Sequence, residues 1–238
     1  MMPPIAVLAG GLATRLRPIS LTVPKALAPV NGEPFCTIQM RQLRRQGFTD
    51  VLLLIGVMGE QIREQLGDGS AFGLRIRYAE DGTQPRGTGG AVANALSQLE
   101  ERFFVTYGDT FLRYDPAVVV EALERTGADA AMVVLRNDDS WDRSNVVVKD
   151  GMVVRYSKVA ANRSGMHWID YGSTLFSKRA FAGYPPNEPF DLANLLENLS
   201  GQGRLAACEV HDRFYEIGTP EALVETERFL AEYNRIAR

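Results

Sequence analysis

Apolar residues run without interruption over positions 5–9 and stop at Gly10-Gly11. A continuous apolar run bounded by glycine predicts a strand buried on both faces, as in a parallel sheet. A second such run lies at 51–55, further strands are expected at 74–79 and 102–107, and between these stretches helices are expected over 37–46, stopped by Gly47, and over 60–66, ending at Gly67. Val92, Ala95, Leu96 and Leu99 mark a third helix. Strands alternating with helices predict an α/β fold, with a mostly parallel central sheet covered by helices.

The second half continues with strands at 130–136, 145–149 and 152–156, and Asp150-Gly151 between the last two is a strong hairpin signal. Asp115-Pro116 reads as an N-cap followed by proline at the first helical position. Over 189–199, Leu192, Leu195, Leu196 and Leu199 share one helical face, which core packing explains. Thr219-Pro220 starts a last helix that buries Ala222, Phe229, Leu230 and Tyr233. No internal repeat or low-complexity linker interrupts the series, so residues 1–238 are expected to form a single domain.

Composition narrows the functions open to such a fold. A chain of 238 residues buries roughly 70–75% of its unfolded surface and needs no covalent staple. Its net charge of −3 and pI near 5.6 argue against a nucleic-acid or anionic-membrane partner. Cys36 and Cys208, the only cysteines, lack metal-ligand spacing and read as buried thiols. No apolar run reaches transmembrane length and no secretory leader opens the chain, so the expected location is cytoplasmic.

Chemistry concentrates just after the first strand. Paired glycines let a ligand approach the main chain and expose its N–H groups to phosphate. Thr14, Arg15, Arg17 and Lys25 add a hydroxyl and three cations, and Pro24 and Pro29 stiffen the backbone around Lys25. The stretch therefore reads as a polyphosphate site. It is neither a Walker loop, which needs Gly-Lys-Ser/Thr, nor a dinucleotide fingerprint, which needs Gly-x-Gly-x-x-Gly. A second glycine-rich loop, ending in Gly87-Thr88-Gly89-Gly90, opens the third helix and turns a positive dipole end toward its surroundings. Asp109 ends the strand at 102–107, facing the crevice where open α/β sheets bind ligands, and its hard oxygens suit magnesium.

Gly10-Gly-x-x-Thr-Arg-Leu-Arg-Pro18, followed by Pro24-Lys25-Ala-Leu-x-Pro-Val-Asn-Gly-Glu-Pro34, resembles the signature of the sugar-1-phosphate nucleotidyltransferases. Within that family the chain looks most like the heptose- or hexose-1-phosphate guanylyltransferases. The resemblance implies a Rossmann-like three-layer sandwich of the nucleotide-diphospho-sugar transferase type, with a nucleotide half at about 1–127 and a sugar-phosphate half at about 128–238. It implies catalytic roles for Arg15 and Lys25 and nucleotide contacts from Leu8, Gly10, Gly11, Thr14, Gly87 and Thr88. Glu80 or Gln84 would read the base edge. Magnesium would rest on Asp109 and on Glu216, where the family pattern has aspartate. Lys158, without the usual Glu-Lys-Pro around it, Asp170 and Gly172 would face the sugar phosphate.

The implied reaction joins a nucleoside triphosphate and a sugar 1-phosphate. The sugar phosphate is already an anion, so no general base is needed, which suits a chain whose only histidines, His167 and His211, lie outside every site motif. Uridylyl- and thymidylyltransferases remain alternatives, as does a nucleotide-sensing module without turnover. Neither nucleic acid nor a membrane is an expected partner, and association into a homo-oligomer is left open.

Overall fold

The computed structural model describes residues 2–11, 23–56, 58–80, 86–159, 164–186 and 188–236. Its strands in chain order are β1 (Ile5–Leu8), β2 (Pro29–Val30), β3 (Glu33–Pro34), β4 (Asp50–Ile55), β5 (Arg75–Glu80), β6 (Arg102–Tyr107) and β7 (Thr110–Phe111), then β8 (Ala130–Arg136), β9 (Val146–Lys149), β10 (Met152–Tyr156), β11 (Trp168–Ser177), β12 (Leu205–Val210) and β13 (Tyr215–Glu216). The helices are α1 (Phe35–Arg45), α2 (Gly59–Leu66), α3 (Gly87–Ala95), α4 (Pro116–Thr126), α5 (Leu192–Gly201) and α6 (Pro220–Ile236). A nine-stranded sheet of order β5-β4-β1-β6-β11-β8-β12-β10-β9 runs through both halves of the chain.

The strand β1 is apolar throughout because it is hydrogen-bonded in parallel to β4 on one side and β6 on the other. Its side chains alternate between two cores. Ile5 and Val7 face α1, α2 and α4 through Met40, Leu43, Ile62 and Val119. Ala6 faces α3 and α5 through Val92, Ala95, Leu192 and Leu195. This is the expected three-layer arrangement.

The parallel region is the run β5-β4-β1-β6. Beyond it the sheet is mixed, with β11 antiparallel to both β6 and β8, and β12 parallel to β8. The tight hairpin enforces part of this change. Asp150 and Gly151 both take positive φ, 51° and 75°, which matches the twist of two strands joined by two residues. The strands β9 and β10 must therefore pair antiparallel.

The helix α6 closes a third, smaller core with Val30, Phe35, Phe111 and Ile217. Leu223 and Leu230 are buried there, while Phe229 and Tyr233 are half-buried against Phe111. Both cysteines are free and buried. Among the described residues no helix is long and apolar enough to cross a membrane.

Candidate active site

Because β1, β4, β5 and β6 run parallel, their carboxyl ends lie along one edge of the sheet. The loops leaving that edge pack closely. Gly108 N–H donates to Leu8 O at 2.9 Å, and a Cβ at Gly56 would lie 2.8 Å from Gly10 O. Glycine is thus needed at Gly56 for the chain to pass Gly10. Gly10 and Gly11 themselves are exposed at the tip. The sequence-derived candidates Thr14, Arg15 and Gln84, and Arg17 with them, lie outside the described residues.

Lys25 begins a single 3-10 turn after Pro24, whose φ of −60° is extended proline geometry. Ala26 is buried and anchors the turn, so the lysine side chain crosses to the strand edge, where its Nζ lies 2.5 Å from Asp109 Oδ2. Asp109 occupies the turn between β6 and β7. That turn is held from two sides: Ile217 N–H donates to Asp109 O at 3.0 Å, and Glu216 pairs with Thr110 across the β7–β13 ladder. The ladder brings the two sequence-derived carboxylates together across more than a hundred residues of chain. Gly218 completes the arrangement. A Cβ there would sit 3.1 and 3.2 Å from the Glu216 carboxylate oxygens and 3.2 Å from Lys25 Nζ, so the bare glycine forms a floor on which carboxylate and ammonium converge.

What fixes this turn is a set of residues that no site motif points to. Gln39, Gln42 and Gln46 lie on one face of α1 and its C-terminal end, at spacings of three and four. Gln39 Nε2 donates to Tyr107 O at 2.8 Å and Thr110 O at 2.9 Å. Gln42 Nε2 donates to Leu112 O at 3.0 Å and Gln46 Nε2 to Tyr114 O at 2.9 Å. The glutamine ladder satisfies carbonyls all along the segment that carries Asp109. Its signal was present as polar residues on the apolar face of a predicted helix. Thr226 is a second omission: fully buried on α6, it donates its hydroxyl to Glu216 O at 2.6 Å.

A second cluster lies where β11 begins beside β6. Gly172 takes a φ of +90°, and its carbonyl accepts from Thr106 Oγ1 at 2.9 Å. The β11–β8 register shifts between Asp170 and Thr174, and this irregularity turns Asp170 back on its own strand. Its Oδ1 accepts Gly172 N–H at 2.9 Å and its Oδ2 accepts the Tyr156 hydroxyl at 3.3 Å. Burial pushes the Asp170 carboxyl above the ordinary range, against the opposing pull of Lys158. Lys158 Nζ stands 5.6 Å from the Tyr107 ring centroid, within cation–π range. Lys158, Asp170 and Gly172 are therefore assembled at the end of β6, one residue before the Gly108-Asp109 turn.

The loop before α3 has a different set of neighbours. Glu80, at the end of β5, is ion-paired with Arg63 at 3.0 Å and largely exposed. Gly87 and the two glycines after it are packed against the segment leading into α5. Gly89 N–H and Gly90 N–H both donate to Phe190 O, at 3.0 and 3.2 Å, and a Cβ at Gly87 would lie 2.5 Å from that oxygen. Thr88 Oγ1 accepts Leu192 N–H at 2.9 Å. In this structure the close approach that these glycines permit is used by the chain's own backbone.

A turn at the parallel strand edge that brings one lysine onto a carboxylate, with a second carboxylate on the strand paired beside it, is chemically suited to phosphate and a hard cation. The chain is 30% identical to D-glycero-alpha-D-manno-heptose 1-phosphate guanylyltransferase of Campylobacter jejuni, over 90% of this chain and 94% of that one. The crystal structure of HddC from Yersinia pseudotuberculosis superposes with a TM-score of 0.82 at 26% identity, covering 96% of this chain and all of that one. The structure of the same protein complexed with GMP-PN gives 0.80. Residues 5–232 match the family described as Nucleotidyl transferase, and the chain is an enzyme of that family.

Proposed function

We propose that the chain transfers a nucleotidyl group from a nucleoside triphosphate, GTP by preference, to the 1-phosphate of a heptose or hexose. The observation that carries this reading is the convergence of Lys25, Asp109 and Glu216 over Gly218 at the carboxyl edge of the sheet. The preference for guanine and heptose is supported by the activity named for the Campylobacter relative and by the GMP-PN complex of the Yersinia protein.

A phosphate oxygen of the sugar 1-phosphate attacks the α-phosphorus of the triphosphate. The new P–O bond forms in line as the bond to the β-phosphate oxygen breaks, and pyrophosphate carries away the electron pair. No proton has to move. Lys25 places a full positive charge where phosphate charge gathers, and the glycine turn offers main-chain N–H groups to the same oxygens. Arg15 is assigned a matching role from the sequence signature.

The residues fit a magnesium ion. Asp109, in the turn just before β7, and Glu216, on the β13 strand paired with β7, are hard oxygen donors, and among the described residues no group of three or more His, Cys, Asp or Glu competes with them. Two carboxylates, with water and substrate phosphate completing the shell, is the usual magnesium arrangement. Such an ion supplies Lewis-acid neutralisation of the phosphate oxygens. The ladder, the Thr226 hydroxyl and the glutamines of α1 hold both carboxylates in register without it.

The test is pyrophosphate release over a panel of four nucleoside triphosphates and several sugar 1-phosphates with magnesium. GTP with a heptose or hexose 1-phosphate is expected to give the highest kcat/KM. Tight nucleotide binding with no release from any sugar phosphate would overturn the reading.

A further inference from the structure

Asn145 has no part in the assignment so far. It keeps only 7% of its surface open and sits just outside β9, where three strands meet. Its N–H donates to Trp168 O at 2.9 Å and its carbonyl accepts Ser157 N–H at 3.0 Å. These bonds place its side chain beside the first residues of β11, and there Oδ1 accepts the main-chain N–H of Asp170 at 2.8 Å.

That bond settles the amide's orientation. An oxygen must accept the Asp170 N–H, so the other branch is the Nδ2 donor. Among the described residues Nδ2 has no hydrogen-bond partner. The Asp170 oxygens each hold one bond, to Gly172 N–H and to the Tyr156 hydroxyl, and keep acceptor capacity. Asn145 and Asp170 together therefore supply one donor and one acceptor, tied to each other by the bond between Asn145 Oδ1 and the Asp170 N–H on β11. A sugar hydroxyl is both at once, and a fixed donor–acceptor pair discriminates a hydroxyl from its absence far better than an apolar wall does.

We infer that Asn145 sets sugar specificity: its Oδ1 positions Asp170, and its Nδ2 donates to the sugar hydroxyl whose proton Asp170 accepts. This rests on the sugar-1-phosphate reading above and names the residue within that site that selects the sugar.

The experiment compares the parent, Asn145→Ala and Asn145→Asp on the best sugar 1-phosphate and on its monodeoxy analogues, with magnesium and the preferred triphosphate. Asn145→Asp keeps an acceptor for the Asp170 N–H and removes the donor. Both variants are expected to raise the KM for the sugar 1-phosphate about 10-fold, the effect of one lost hydrogen bond, while the triphosphate KM stays within about twofold. For one deoxy analogue the gap between parent and variants should close, which identifies the hydroxyl. A KM for Asn145→Asp equal to the parent's would overturn the donor role, and a gap that persists through every deoxy analogue would reduce Asn145 to a structural residue. Thermal unfolding checks the fold of each variant, and if one fails to fold the other carries the test. Turnover by the parent with unmoved variants sinks this inference alone. No turnover by the parent sinks it together with the proposed function.

Discussion

The Lys25 ammonium lies 2.5 Å from Asp109 Oδ2, although the two residues are 84 positions apart in the chain. Each is about a quarter exposed, at 21% and 26% of the side-chain surface, so the pair borders solvent. The lysine proposed for phosphate is thus paired with the carboxylate proposed for the cation. In the proposed reaction, substrate and ion would part them.

Lys25→Ala should therefore have two separable effects. Turnover should fall by about 10² or more, as when one preorganised electrostatic donor is lost. Magnesium binding without nucleotide, measured by calorimetry, should tighten, because the ion no longer competes with an ammonium for Asp109. Near-normal turnover would remove Lys25 from the catalytic assignment.

Asp109→Ala should abolish activity at every magnesium concentration. Glu216→Ala should raise the magnesium needed for half-maximal rate, and Glu216→Asp should be tolerated, since the shorter acid keeps the charge on the same ladder position. The check is a magnesium titration of initial rate for all three variants. An unchanged curve for Glu216→Ala would leave Asp109 as the sole protein carboxylate on the ion.

Gln39→Leu removes the donor to the buried Thr110 carbonyl and the half-buried Tyr107 carbonyl, on either side of Asp109. Stability should drop by about 1–3 kcal/mol, the cost of leaving buried acceptors unpaired. In denaturant titrations Cm should fall, and in the folded variant kcat should fall more than the KM for either substrate. Parent-like kcat would show that the turn keeps its geometry unaided.

Stability should also respond to pH through Asp170. Its carboxyl is raised above the ordinary value of 3.8, first by burial, while Lys158, Gly172 N–H and the Tyr156 hydroxyl pull the other way. A raised folded pKa means that the protonated form fits the fold better. The associated stability is fully present below 3.8 and is lost as pH rises through the folded value. Asp170→Asn stays neutral throughout, so its Tm relative to the parent should rise between acid and neutral pH. A constant Tm difference over that range would mean that the site carries no net penalty for the charged form.

The glycines that open α3 make a paired prediction. A Cβ at Gly89 would meet the Phe190 ring, a side chain that can be shortened, whereas a Cβ at Gly87 would meet the Phe190 carbonyl and a φ of +68°. Gly89→Ala and Gly87→Ala should both lower Tm, by the equivalent of about 1–3 kcal/mol. Phe190→Leu should rescue the first and leave the second unrelieved. Rescue of both would place the strain in the ring alone.

Local order was legible in the chain, because it depends on neighbours a few residues apart. The runs at 102–107, 130–136 and 152–156 form strands with those bounds, since each is a continuous or alternating apolar stretch between turn residues. Asp115 caps α4 by accepting Ala117 N–H at 2.9 Å, and Asp150-Gly151 turns the hairpin. The signature residues Lys25, Asp109 and Glu216 were also recognisable, because each is embedded in a distinctive short motif. Boundaries shifted where a partner intervened: the helix expected from 189 begins at Leu192, since Phe190 is taken up by the α3 glycines and Asp191 serves as the cap.

What joins these pieces was decided only by the tertiary structure. The sheet turns mixed beyond β6, a matter of which edges remain free once the parallel core has formed. The glutamines of α1 look like misplaced polar residues until their acceptors, some 70 positions away, are known. Asn145 has no motif around it, and its role follows from one bond to Asp170, 25 residues later. A hydrogen bond depends on distance and angle in space, and periodicity along the chain carries no record of which distant carbonyl or amide a side chain will meet.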